Sequence, residues 1–387
     1  MKTQSDLPQF KEQMCEGGLA TLIQLLQDSG IEVVGPQVRD QAIVYDVLKK
    51  VEDLPRGYTE KQERGFYRLA QRDDRAYFGF TVGPDSWKKF LFVPKERLWK
   101  SHKDKHGKLF FTPEKITCSR RAFLGVRACE LAAIRIQDQI FLEGPAVDRP
   151  YQERRAATIL IAVQCMSVAP TCFCASMKTG PGISEGFDLL LVEVPEVDNH
   201  RFLLKSGSPE GEKLMEELRR MKCLYPTSIE DSLISSQQVA MVADAQVRSM
   251  KPVEDKKLLD SSFHSARWDE ISKKCLNCAN CTLVCPTCFC SRVEDTTDLK
   301  GDHAERWRKW DSCFSLDHSY IHGGSVRQSG KSRYRQWLTH KVSSWFDQYG
   351  KSGCVGCGRC ISWCPVGIDL TEEIRAFDHE KNFGATE

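Results

Sequence analysis

The sequence predicts an α+β protein: an N-terminal mixed α/β domain over residues 1–250, then a smaller, mainly helical domain over residues 265–387. Three observations support this. A chain of 387 residues is longer than one hydrophobic core usually serves. Up to residue 250, short apolar runs that read as strands alternate with stretches of helical periodicity. From Ser265 onward cysteines dominate, in two similar blocks that form an internal repeat around a Trp- and Arg-rich segment.

The first helix is expected around Leu19–Leu26, ended by Gly30, with extended runs at Ile31–Val34 and Ala76–Val82. Further strands are expected at Phe90–Val93, Ala122–Val126, Thr158–Val163 and Leu189–Val194. Those near the middle are apolar on both faces, as strands of a buried sheet are. Cys129–Phe141 (CELAAIRIQDQIF) spaces Leu131, Ile134, Ile136 and Ile140 roughly as a helix would, so strand, tight turn and helix is the expected local order. A second helix is expected at Glu210–Met221. Val247–Ser262, rich in Lys and Asp with one Pro, reads as the passage between the domains.

Lys plus Arg number 55 against 53 Asp plus Glu, and no long run of one sign stands out. That argues against nucleic acid or an anionic membrane as partner and for other proteins. Met1–Cys15 has no basic segment followed by an apolar one and no twin arginine, so a cytoplasmic location is expected. No stretch approaches the roughly 18 consecutive apolar residues of a membrane span, so direct membrane insertion is not expected. In a reducing compartment, 18 cysteines point to metal ligands or redox groups rather than disulfides.

Their spacing is informative. The first block is Cys275-Leu-Asn-Cys278-Ala-Asn-Cys281-Thr-Leu-Val-Cys285-Pro286 and the second Cys354-Val-Gly-Cys357-Gly-Arg-Cys360-Ile-Ser-Trp-Cys364-Pro365. Each is the C-x2-C-x2-C-x3-C-P run of a bacterial [4Fe–4S] ferredoxin. Two-residue gaps let three thiolates wrap one face of a cubane, and the fourth cysteine reaches the neighbouring cluster. On that rule Cys275, Cys278, Cys281 and Cys364 hold one cluster and Cys354, Cys357, Cys360 and Cys285 the other, making the second domain a helical dicluster [4Fe–4S] ferredoxin-like domain. Pro286 and Pro365 keep the chain clear of the helix ladder, while Gly356 and Gly358 allow close backbone approach to sulfur. Paired C-x2-C motifs also bind zinc, but two complete four-cysteine runs, each closing on Pro, argue against that reading.

A second set comprises Cys129, Cys165, Cys172 and Cys174, two of which directly follow expected strands, where α/β folds place functional groups. Four thiolates suffice for a third [4Fe–4S] cluster; the C-x-C of Cys172 and Cys174 is unusual for a cubane, and four buried cysteines acting as small hydrophobes is the other reading. Cys288, Cys290 and Cys313 are one ligand short of a cluster, which favours packing or tuning of the first. Cys15, Cys118 and Cys223 stand alone.

No G-x-G-x-x-G, Walker A, H-E-x-x-H or G-x-S-x-G motif occurs in a suitable context, so no nucleotide site or hydrolytic site of the familiar kinds is visible. Gly180, Gly182 and Gly186 read as loop formers, and His318 and His322 as a polar helix face. Trp307, Trp310, Trp337, Trp345 and Trp363 would shield clusters from water. Arg306, Arg308, Arg327, Arg333 and Arg335 would either offset cluster charge or form a docking face.

Several passages together carry a resemblance: Gly125-Val-Arg-Ala-Cys129-Glu-Leu-Ala-Ala, Thr171-Cys172-Phe-Cys174-Ala-Ser-Met-Lys-Thr-Gly-Pro181, Gly186-Phe-Asp-Leu, Cys285-Pro-Thr-Cys288-Phe-Cys290, Trp310-Asp-Ser-Cys313 and Gly353-Cys354-Val-Gly-Cys357-Gly-Arg-Cys360. Over most of its length the chain resembles the beta subunit of cytoplasmic bidirectional nickel–iron hydrogenases, also called sulfhydrogenases, and the related A subunit of anaerobic sulfite reductase. It departs from that pattern at Ala128, where Pro is expected, and at Lys178, where Gly is more usual.

The resemblance implies an electron-transfer subunit that makes and breaks no substrate bond itself. Its partners would be a flavin- and iron–sulfur-containing subunit that reacts with NAD(P)H, and a hydrogenase small and large pair holding the nickel–iron site. Alternatively, the same wire would serve an anaerobic sulfite or polysulfide reductase. A rival from another class makes the N-terminal domain catalytic, with Cys172 or Cys174 as a reactive thiol.

Overall fold

The computed structural model describes residues 10–116 and 118–383; Met1–Gln9, part of the segment read for export signals, lie outside the described residues. The chain opens with β1 (Glu12–Cys15) and α1 (Glu16–Asp28). Helix α1 buries Leu19, Leu22, Ile23 and Leu26, an i, i+3, i+4, i+7 stripe, and the chain turns away at Gly30 with φ +70°. Three hairpins follow: β2 (Glu32–Arg39) with β3 (Ala42–Val47), β4 (Tyr58–Glu63) with β5 (Phe66–Gln71), and, after the one-turn α2 (Lys88–Leu91), β6 (Lys95–Lys103) with β7 (Leu109–Pro113).

Next, β8 (Arg121–Val126), α3 (Ala128–Leu142), α4 (Arg149–Ala156) and β9 (Thr158–Val163) form a parallel crossover. It continues through parallel β10 (Leu189–Glu196), antiparallel β11 (Asn199–Ser206), α5 (Pro209–Arg220), the short β12 (Tyr225–Pro226) and α6 (Ile229–Asp244). The resulting eight-stranded sheet runs β12-β1-β11-β10-β9-β8-β2-β3. Strand β9 is buried at every residue because both faces are covered. Ile159, Ile161 and Val163 enter a core with α1, while Leu160 and Ala162 enter another with α3.

Beyond residue 250 come α7 (Pro252–Ser261), α8 (Arg267–Lys274), α9 (Asn280–Leu283), the hairpin β13 (Ser291–Thr297) and β14 (His303–Trp310), α10 (Gly330–Thr339), a π-helical turn at His340–Ser344, α11 (Trp345–Tyr349), α12 (Arg359–Ser362) and α13 (Leu370–Phe383). These helices enclose a third core that includes Trp268, Trp337, Leu338, Ile361, Ile374 and Phe377. The hairpin crosses back: β14 pairs with β6, giving a four-stranded sheet β13-β14-β6-β7 that joins the two parts of the chain. Among the described residues no helix is long and apolar enough to cross a membrane.

Three expected elements differ. Ala76–Val82 is buried but irregular, because side chains satisfy its backbone where a strand ladder would. Glu193 accepts from the Tyr77 and Phe78 amides, Arg127 donates to the Phe78 and Phe80 carbonyls, and the Thr81 amide donates to Glu60. Phe90–Val93 is no strand: α2 covers Phe90 and Leu91, and Phe92 turns into the core beside Phe141. The 247–262 passage contains α7, whose Leu259 is buried in the third core with Leu258 packed against it. Two adjacent leucines sufficed to anchor a helix in an otherwise polar stretch.

Candidate metal centres

The two cysteine blocks share one backbone path. In block one the second residue after Cys275 and the first after Cys278, Asn277 and Ala279, have φ of +54° and +67°; their counterparts in block two, Gly356 and Gly358, have +64° and +76°. Each left-handed pair winds the chain so that an amide points back at sulfur: Asn277 N donates to Cys275 Sγ at 3.4 Å and Gly356 N to Cys354 Sγ at 3.5 Å. A one-turn helix follows in each, α9 or α12.

Glycine is required only in block two. A Cβ on Gly356 would lie 2.7 Å from the Phe173 carbonyl and the Cys174 amide, and one on Gly358 would lie 2.4 Å from the Thr171 carbonyl. Block two is thus pressed against the Thr171–Cys174 segment, and Phe173 N donates to Gly356 O at 2.9 Å.

Cys275, Cys278, Cys281 and Cys364 line one cavity together with Cys360, closed by Phe314, Tyr334, Trp337, Ile368 and Leu370. Burial pushes the Cys281 thiol well up, and the charges of Cys275, Cys364 and Cys278 push it further. Around the second centre, burial and then Cys354, Cys357 and Cys285 act in the same way on Cys360. Cys364 from block two thus shares the cavity of the first group, and the charge of Cys285 from block one acts on both Cys281 and Cys360. Crowded, buried thiolates of this kind are stable only beside compensating cations, the environment an iron–sulfur core provides. Among the described residues no three His, Cys, Asp or Glu converge tightly enough for a single ion; the corners of a cubane spread its ligands more widely.

The second group has a cation of its own. Lys341, wholly buried and carried on the π-helical turn, donates to Cys285 Sγ at 3.3 Å, to Thr287 Oγ1 at 3.1 Å and to Gly353 O at 3.3 Å. Nearby, Lys88 reaches the Leu283 and Cys288 carbonyls and lies over the Trp310 ring. Neither lysine carries a sequence signal, since only the fold brings it to a cysteine block.

Cys129 lies in the first turn of α3, three residues past β8, and Cys165 two residues past β9, so both stand at the carboxyl ends of adjacent parallel strands. Burial pushes the thiols of Cys129, Cys172 and Cys174 up, with Cys174 or Cys165 as a further cause in each and Cys357 of block two acting on all three. Gln246 donates to Cys174 Sγ at 3.3 Å. Lys178, the departure noted at a glycine position, has φ +58°, the conformation that makes glycine the easier residue there. Cys129 and Cys174 share one packed neighbourhood with Val355 and Cys357 of block two. Arg359, buried between Cys357 and Cys360, donates to Glu130, the residue after Cys129.

The remaining cysteines divide. The Cys288 carbonyl accepts from Lys88, and the Cys290 carbonyl from the Asp311 amide at 2.9 Å. His318 is on a short 3-10 turn rather than a helix face. Arg306 and Arg308 are engaged by Asp295, Glu96 and Asp148, so they do not reach the cysteine groups. Trp337 closes the first cavity, as the water-shielding reading expects.

A family of 4Fe–4S dicluster domains matches residues 274–368. Sulfhydrogenase 2 subunit beta of Pyrococcus furiosus is 31% identical over 337 residues, covering 85% of this chain and 95% of the relative. Among solved structures, a chain of the F420-reducing [NiFe] hydrogenase complex from Methanosarcina barkeri aligns over 66% of this chain and 96% of its own, at 9% identity and a TM-score of 0.35. With block geometry, dicluster match and a near full-length relative together, the chain belongs to the family of sulfhydrogenase beta subunits.

Proposed function

We propose that the chain relays single electrons through three [4Fe–4S] clusters: one on Cys275, Cys278, Cys281 and Cys364, one on Cys354, Cys357, Cys360 and Cys285, and one on Cys129, Cys165, Cys172 and Cys174. Its partners in a cytoplasmic complex are a flavin- and iron–sulfur-containing subunit that reacts with NAD(P)H and the small and large subunits of a nickel–iron hydrogenase. Residues 1–250 and 265–387 act as two domains, one contributing the third site and the other the interlocked pair.

The presence of Cys364 in the cavity of Cys275, Cys278 and Cys281 supports this reading, as does the packing of Cys357 beside Cys129 and Cys174. Bound clusters supply one-electron redox chemistry. The chain's own residues hold the sulfurs in place, exclude water with Trp337, Tyr334 and Phe314, donate amides to sulfur and set local charge through Lys341 and Arg359.

Iron counting on this chain, separated anaerobically from its partners, tests the reading: roughly twelve iron per chain is expected for three cubanes, and roughly eight would eliminate the third. Zinc in place of iron would eliminate all of them. The co-purifying subunits identify the terminal partner, a sulfite reductase subunit refuting the hydrogenase assignment. Cys357→Ser is expected to uncouple NAD(P)H oxidation from hydrogen turnover while the N-terminal domain stays folded; full coupled activity would remove this centre from the path.

A further inference from the structure

An open sheet edge recruits another chain unless something blunts it. In the eight-stranded sheet, β12 spans only two residues, and at β3 the amides of Ile43, Tyr45 and Val47 already donate to the side chains of Tyr67, Asp85 and Asp46. In the four-stranded sheet, the β13 edge carries Arg292, Glu294 and Asp295. The β7 edge is different. Its residues, Leu-Phe-Phe-Thr-Pro, are uncharged and all exposed, Phe111 at 61%, and its one blunting residue is Pro113 at the end. Register shows which backbone groups are free. Asp104 N donates to Lys108 O at 3.0 Å and Glu114 N to Leu98 O at 3.1 Å, so the even-numbered residues turn their backbone groups toward β6. Leu109, Phe111 and Pro113 turn theirs outward, where among the described residues no strand pairs with them. Their side chains share a face with Trp99, whose ring meets that of Phe111 edge-on at 5.2 Å.

We infer that β7 pairs antiparallel with β7 of a second copy of this chain, joining two four-stranded sheets into one continuous sheet about a twofold axis at Phe111. The edge is self-complementary in that register. Phe111 lies opposite Phe111 of the second copy, Leu109 opposite Pro113, Phe110 opposite Thr112, and Lys108 opposite Glu114. The two Phe111 residues exchange amide-to-carbonyl bonds, and each Leu109 amide donates to the Pro113 carbonyl across the axis. The Leu109 carbonyl, facing the amide that Pro113 lacks, stays at the rim with water.

Charge singles out a second copy as the occupant. Opposite charges face each other at both ends of the pairing, where like charges would oppose it. Glu114 bonds Arg97 within its own copy at 2.7 Å, which fixes its carboxylate beside the ladder. A strand of another subunit would need an acid and a base at the same two positions, six residues apart, to match as well; this chain supplies both itself. On the face with Trp99, the two Phe111 rings cover each other and the Leu109 side chains, removing from water the apolar surface that β7 exposes. A single pair of short strands makes a small interface, so a dissociation constant on the order of micromolar is expected. The surface lies apart from the cysteine groups, and the inference does not rest on the electron-relay reading.

Sedimentation velocity of the full chain in its anaerobically purified complex reads the pairing. Wild type is expected to run at twice the mass of Phe111→Asp and to fall toward it on dilution. Iron per chain should be the same in both, because Phe111 is exposed and the substitution only sets two carboxylates together at the axis. Lys108→Glu is expected to weaken association roughly tenfold, since both ion pairs of the dimer become repulsions, and Lys108→Glu combined with Glu114→Lys to restore it. Phe111→Cys is expected to form a disulfide between copies under diamide, because hydrogen-bonded partners on antiparallel strands lie about 5.5 Å apart at Cα, within disulfide reach. Wild type treated in the same way measures the background from the native cysteines. Equal masses for wild type and Phe111→Asp at every concentration would overturn the proposal. So would a Phe111→Cys link to a different subunit, which would make that subunit the occupant of the edge. A wild-type mass that never doubles gives the first of these results without any variant having to fold.

Discussion

Arg359 donates to Glu130 in a wholly buried ion pair, so a residue between two cysteines of block two is fastened to the residue beside Cys129. Glu130 also accepts from the Tyr45 hydroxyl, the Trp87 indole and the Arg127 amide. Arg359 donates further to the Gly83 and Asp85 carbonyls. Burying two charges is costly, and this web of bonds offsets part of that cost.

Arg359→Met therefore leaves a buried carboxylate with its charge uncompensated. The expected loss is about 3–5 kcal/mol of unfolding free energy, and Glu130→Gln in the same chain recovers part of it. Urea midpoints of the two single variants and the double variant measure the coupling; strict additivity would mean that the pair does not act as one.

Gly356→Ala should be far more damaging than its geometry in isolation suggests. A left-handed alanine costs about 1–2 kcal/mol, and the collision with Phe173 and Cys174 adds to that, for a total of roughly 3 kcal/mol. Asn277→Gly, at the matching position of block one, should be neutral or stabilising by about 1 kcal/mol. Iron retention and denaturant midpoints of the two variants, compared side by side, check the asymmetry.

Lys341→Met removes the cation bonded to Cys285 Sγ. A positive charge favours the more negative, reduced state of a centre held there, so its potential should fall. A charge-assisted hydrogen bond of about 1.5–3 kcal/mol corresponds to roughly 60–120 mV for one electron. Potentiometric titration followed by electron paramagnetic resonance reads the shift; an unchanged potential would show that the lysine serves packing alone.

Burial lifts the Asp255 carboxyl from its ordinary 3.8 to about 6. The folded chain therefore holds this proton more tightly than the unfolded chain, and stability falls as pH rises from about 4 through about 6, then levels off. Because the group is partly solvated, the amplitude should be below about 1 kcal/mol. Asp255→Asn should flatten that part of the profile, as the difference in urea midpoint between the two proteins from pH 5 to 7 will show.

What was legible in the sequence follows from how local each signal is. The C-x2-C-x2-C spacing is a local winding rule, so the matching backbone path of both blocks could be read directly. Strands buried on both faces, such as Thr158–Val163, announced themselves by unbroken apolar character. Ala76–Val82 has the same character but no strand, because Glu193 and Arg127, distant in sequence, claim its backbone. Lys341 was invisible for the opposite reason: a lysine in a polar stretch looks solvated until Cys285 arrives beside it. The set Cys129, Cys165, Cys172 and Cys174 could be grouped by number but not placed against Cys357, since that contact depends on how block two meets α3.

The pairing of β14 with β6 also bears on the order of synthesis. Strand β6 leaves the ribosome about two hundred residues before its neighbour, and until then one side of it is an open ladder able to recruit another chain. Its sequence, KERLWKSHK, carries Lys95, Arg97, Lys100 and Lys103 along that edge, a density of like charge that repels a second copy of itself. When β14 arrives, Glu305 meets Arg97, so a charge that guarded the nascent edge becomes a contact that closes it.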